Sequence, residues 1–115
     1  MKVLVAGGAT YENHNRVFTI LNNLHGKDER ISAVVGTLTK GLPTFAYIWA
    51  KANNIDYIGV PKTRSGWAGR IEAIRGVVSH AKPQDVALVF NETASTYHFV
   101  TALKKTKIEI LEVEG

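Results

Sequence analysis

Residues 2–8 read Lys2-Val3-Leu4-Val5-Ala6-Gly7-Gly8, a short β-branched apolar run that stops on two glycines. A continuous run of this length predicts a strand covered on both faces, and such strands belong to parallel sheets flanked by helices. Similar segments recur at 31–35, 55–60, 85–90 and 107–113, so with 2–6 five strands are expected. The last is interrupted by Glu109, Glu112 and Glu114, which suits an edge strand guarded by charge.

The intervening stretches change to helical spacing. Val17, Ile20, Leu21 and Leu24 recur at i, i+3, i+4 and i+7 before His25-Gly26 stops the pattern. A second helix begins near Pro43 and runs through Phe45, Ile48, Trp49 and Ala52 until Asn53-Asn54. A third spans 68–81, with Ile71, Ile74 and Val78 as its inward stripe and Lys82-Pro83 as its break. A fourth covers 95–105, where Ser95 can cap the start and Phe99, Ala102 and Leu103 can pack inward. Strand and helix alternate along all of 1–115 without a linker or repeat, which predicts one α/β domain built of βαβ units.

Composition narrows the function. With 45% hydrophobic and 21% charged residues, the chain lies outside the range of disordered sequences. No apolar run approaches the roughly 20 residues of a membrane span, so no membrane partner is expected. The opening residues carry no signal-peptide cleavage pattern, which points to the cytoplasm. With no cysteine, thiol catalysis and cysteine-ligated metals are excluded, and no cofactor is expected. The net charge of +4 favours anionic partners.

In an open parallel sheet, ligands bind beyond the carboxyl ends of the strands, where loops lead into helix N-termini. The loops on that rim carry the candidate ligand-binding residues Gly7, Gly8 and Ala9; Gly36, Thr37 and Lys40; Lys62, Arg64, Trp67 and Arg70; and Asn91 and Thr96. Gly7-Gly8 permits either close backbone approach to a phosphate or a sharp structural turn. Lys62, Arg64 and Arg70 bracket Trp67, a set that suits a phosphorylated nucleotide whose base stacks, or else a solvated loop with the indole tucked onto the core. Arg75 falls about 40° from Ile71 around the third helix, at the edge of the expected buried stripe. It would need Glu72, a strand-end carbonyl, a ligand or a subunit interface as partner. His14, His25, His80 and His98 sit at no metal-ligand spacing and read as surface or capping residues, so no metal site is expected. Glu12 and Glu92 fall on the same rim and are the candidate general bases if there is a reaction.

The order of these pieces resembles the SLOG superfamily, which includes the LOG nucleotide phosphoribohydrolases, DprA and small YspA-type domains. The resemblance rests on Lys2-Val3-Leu4-Val5-Ala6-Gly7-Gly8 with Tyr11, on Lys40-Gly41 with Ala46 and Trp49-Ala50, and on Ala68-Gly69 followed by Ile74-Arg75. It implies a Rossmann-like three-layer sandwich with a mainly parallel five-stranded sheet, a nucleotide-derived ligand over the carboxyl edge, and a homo-oligomer, often a dimer. The family's glycine-rich loop after the fourth strand reads Asn91-Glu92-Thr93-Ala94-Ser95-Thr96 here, and the position of the LOG glutamate is His98. The expectation is therefore binding of a nucleotide or nucleotide-derived signal without turnover, as a sensor or sequestering protein. The alternatives are a LOG-like N-glycosidic hydrolase using Glu92 or Glu12, and a single-stranded nucleic-acid binder suggested by the pI of 9.5, the Trp67 loop and kinship with DprA.

Overall fold

The computed structural model describes residues 1–6, 8, 11–26, 30–90 and 94–113, with the backbone alone for 94 and 95. In chain order these form β1 (Lys2–Val5), α1 (His14–Leu24), β2 (Ala33–Thr37), α2 (Leu42–Ala52), β3 (Asp56–Val60), α3 (Gly66–Val78), β4 (Val86–Phe90), α4 (Ala94–Leu103) and β5 (Glu109–Val113). The strands form one sheet in the order β3-β2-β1-β4-β5, and every neighbouring pair is parallel. Sequence alternation within each central strand sends Val3 and Val5 to one face and Leu4 and Ala6 to the other. The first face is covered by α1 and α2 through Val17, Leu21, Leu42, Ala46 and Trp49. The second is covered by α3 and α4 through Ile74, Val77, Phe99 and Leu103. The result is the expected Rossmann-like α/β sandwich, with wholly parallel pairing among the described strands.

The three apolar strands β1, β2 and β4 occupy the middle, and β5 with its exposed Glu109 and Glu112 lies at an edge. Most element ends fall within a few residues of expectation, and two differences affect the site. β2 begins and ends two residues late, because the Ile31 amide donates to His25 Nδ1 and the Ser32 amide donates to the Met1 carbonyl, while Gly36 and Thr37 pair with Gly59 and Val60. Gly36 is thus a buried strand residue and not part of a rim loop. α3 is turned relative to the predicted stripe: Gly69, Ala73, Ile74 and Val77 face inward, Ile71 and Val78 are half-buried, and Arg75 is exposed. Small residues make this contact face, so a pattern built on large apolar side chains misplaces its phase. No helix among the described residues is long and apolar enough to cross a membrane.

Candidate functional site

Connections leave β1 toward β2 on one side and arrive at β4 on the other, so the carboxyl ends of β1 and β4 form the topological switch point of the sheet. Gly8 lies beside it, buried, with φ of 67°. Its carbonyl oxygen accepts from two amides, Tyr11 at 2.9 Å and Leu42 at 3.2 Å, and so ties the turn after β1 to the first residue of α2. A Cβ on Gly8 would stand 3.2 Å from Leu42 Cβ and would carry the strain of a left-handed backbone. Glycine at this position therefore serves the turn. Three residues on, Tyr11 is 7% exposed, and its ring meets Phe90, the last residue of β4, edge-on at 5.3 Å between centroids. Its hydroxyl is buried and has no hydrogen-bond partner among the described residues. Burial pushes the phenol pKa upward, against the smaller opposing pull of the Arg16 charge.

A pocket of about 350 Å³ opens at the carboxyl end of β2, under the start of α2. Its apolar walls are Leu38, Pro43 and two tyrosines, Tyr47 from α2 and Tyr57 from β3, whose rings meet at 90° with centroids 5.3 Å apart. The Tyr57 hydroxyl donates to the Thr37 carbonyl at 2.9 Å, and burial drives its pKa far above the ordinary phenol value, so it stays a neutral donor. Thr37 and Thr39 share a hydroxyl hydrogen bond of 2.9 Å, and Thr44 donates to the Thr39 carbonyl at 3.0 Å. Lys40 is exposed at the mouth, and Lys51 Nζ lies 5.6 Å from the Tyr47 ring centroid. Mostly apolar walls with a few convergent polar groups and a cation are what a small organic anion requires.

The third loop is engaged with its own helix. Thr63 donates to Glu72 at 2.8 Å, and Arg64 pairs with the other oxygen of the same carboxylate at 2.5 Å. The Thr63 hydrogen bond, above all, holds Glu72 below the usual carboxylate range, and the charge and hydrogen bond of Arg64, with the charge of Arg75, help it to outweigh desolvation. Trp67 is 48% exposed, and its ring meets His98 of α4 at 5.4 Å, on the face of the sheet opposite the β2 pocket. Lys62 is exposed, Arg70 is half-buried, and Thr96 is buried in the first turn of α4. Arg75 lies in the last turn of α3, nine residues and about 14 Å of helix beyond Gly66, far from the rim where α3 begins.

The structure thus brings Thr37 and Lys40 together, with Gly8 tied to the same helix start, and sets Arg64, Trp67 and Arg70 on the other face. Gly7, Ala9, Asn91 and Glu92 lie outside the described residues, while Glu12 is exposed. Among the histidines, His25 accepts the Ile31 amide and so caps the approach to β2. No three histidine, aspartate or glutamate side chains among the described residues are placed to hold a metal ion. Sequence reasoning missed Tyr47 and Tyr57. A tyrosine on the outward Thr44–Tyr47–Lys51 stripe of α2, beside a loop already singled out, was the available signal.

Layers and strand order define a Rossmann-like α/β protein. The family model of the YspA, cpYpsA-related SLOG family (YAcAr) matches residues 1–63, more than half of the chain, and the chain belongs to that family. This membership ties it to a nucleotide-related function. The matched span contains both the Gly8 turn and the β2 pocket, and ends before Trp67. Neither a curated protein nor a solved structure matches the chain.

Proposed function

We propose that the protein binds a nucleotide or a nucleotide-derived signalling molecule on the carboxyl-end rim, with the β2 pocket taking its planar base and Lys40 its negative charge. The observation that carries this reading is the pocket itself: two tyrosine rings, hydroxyl groups and a lysine, within the span that matches a nucleotide-related family. Its volume of about 350 Å³ lies within the range of small-molecule sites and suits a base with part of a sugar. Binding without turnover is supported by the sequence, in which His98 takes the position of the glutamate that LOG enzymes use in N-glycosidic cleavage. Such a protein senses or sequesters its ligand.

Calorimetry with adenine and guanine mononucleotides, cyclic nucleotides and ADP-ribose tests the reading. One of them should bind, and Lys40→Ala should weaken it roughly tenfold, the worth of one charge-assisted contact at a partly solvated site. Tyr47→Ala should weaken it by a similar factor through lost stacking. Absence of heat with every nucleotide, or unchanged affinity in both variants, would remove the pocket from consideration. Chromatography of the incubated nucleotide should show no free base.

Single-stranded nucleic acid is the second reading, favoured by the exposure of Trp67 at 48% and Tyr97 at 59% on either side of His98. A strand lying on these rings would lose roughly tenfold or more in affinity between low and moderate salt. Oligonucleotide binding indifferent to salt counts against it.

A further inference from the structure

We propose that the Tyr11 hydroxyl is a hydrogen-bond donor to the ligand's phosphoryl group, forming a second anchor at the switch point beside the β2 pocket. This rests on the nucleotide reading and adds to it a residue and the part of the ligand it holds. The packing of Tyr11 is complete without its hydroxyl: the ring sits in the core with Val5, Leu42 and Phe90, and a phenylalanine would meet Phe90 in the same edge-on way. Yet the hydroxyl is buried without a partner among the described residues. A buried donor left unmade destabilises the folded chain, whereas an apolar group of the same shape is neutral or better. Among the described residues, then, nothing in the free protein uses this oxygen.

Its place in the fold suggests what it serves. The Tyr11 amide is bonded to Gly8, in the turn leaving β1, and its ring abuts the last residue of β4, so Tyr11 stands where the two central strands end. Ligands of open parallel sheets sit at that crevice. A phenol is protonated at neutral pH and burial shifts its pKa further upward, so the hydroxyl has a proton to donate to an acceptor-rich group there. Arg16, near enough for its charge to act on Tyr11, favours an anionic acceptor. A phosphoryl oxygen answers both requirements.

The test is Tyr11→Phe, measured in the free protein and against AMP and adenosine. Without ligand, the variant should melt higher than the wild type, by about 4 °C. AMP should bind it roughly tenfold more weakly, while adenosine, which lacks the phosphoryl group, should bind both proteins alike. A variant that melts lower has lost a hydrogen bond made within the folded chain, which overturns the proposal whatever the ligand. AMP binding equal in the two proteins overturns the Tyr11 anchor and leaves the pocket standing. If the wild type binds neither AMP nor adenosine, nor any nucleotide tested above, the nucleotide reading falls and the anchor with it.

Discussion

Gly69→Ala should destabilise the protein by roughly 3 kcal/mol or more, read as a lower urea midpoint with an unchanged slope. In an ordinary helix interior the same exchange stabilises by up to about 1 kcal/mol, so the sign is diagnostic. The reason is a backbone contact. A Cβ on Gly69 would stand 1.7 Å from the Arg64 carbonyl oxygen and 2.7 Å from its carbon, and neither atom belongs to a flexible side chain that can swing aside. The chain from β3 is laid flat on the first turns of α3, and Thr63 and Arg64 then reach Glu72 one turn further on. This is why the loop that looks most like a phosphate site in the sequence reads as a clasp in the structure. Should Gly69→Ala fold with wild-type stability, the loop is free of the helix in solution and its cations are again available to a ligand.

The second large effect is expected at the opposite end of the sheet and depends on pH. Asp85 is 2% exposed, and its carboxylate accepts from the Lys2 amide at 2.9 Å, the Lys82 amide at 3.2 Å and the Lys2 ammonium at 2.8 Å. Burial alone would raise its pKa, but the Lys2 hydrogen bonds and charge, with the Lys82 amide, outweigh it and hold the group below the usual value. A carboxyl group depressed in the folded state contributes stability above its unfolded pKa of about 3.9, and that contribution disappears as pH falls through the folded value. Asp85→Ala should therefore cost about 3 kcal/mol at pH 7, since it leaves two amides and a lysine without their shared acceptor. The gap between variant and wild type should narrow as the pH falls from about 3.9 through the folded value. A gap of constant size across that interval would show that the carboxylate's charge plays no part. Nucleotide affinity at pH 7 should not change, because the pair lies at the amino ends of β1 and β4 and the ligand rim at their carboxyl ends.

Much of this fold is legible in the sequence because the central strands are buried on both faces and so appear as unbroken apolar runs. The charged edge at β5 is legible for the complementary reason, since Glu109 and Glu112 interrupt a strand in a way only an edge tolerates. Helix α3 is misphased because Gly69 and Ala73 make its closest contacts, and small residues leave little trace in a hydrophobic pattern. The candidate site is legible only in outline. Its rim follows from topology, and Lys40 from the loop that connects β2 to α2, whereas Thr37, expected in that loop, is the last residue of β2. Tyr47 and Tyr57 belong to different elements whose meeting is a tertiary fact, and Tyr57 enters the site by reaching along its strand to the Thr37 carbonyl. The separation of Trp67 from the pocket was equally hidden, because nothing in the spacing says that α3 crosses to the other face of the sheet.

One consequence follows from the carbonyl of Gly8. Surface turns usually absorb inserted or deleted residues at small cost, since their backbone polar groups can turn to water. Here a single oxygen sets the register of two segments at once, the approach to α1 through Tyr11 and the origin of α2 through Leu42. Moving that oxygen would loosen both contacts together, the second of them at a helix more than thirty positions downstream. The position of Gly8 is therefore answerable to two helices at once, and a substitution that shifts its backbone is felt at both.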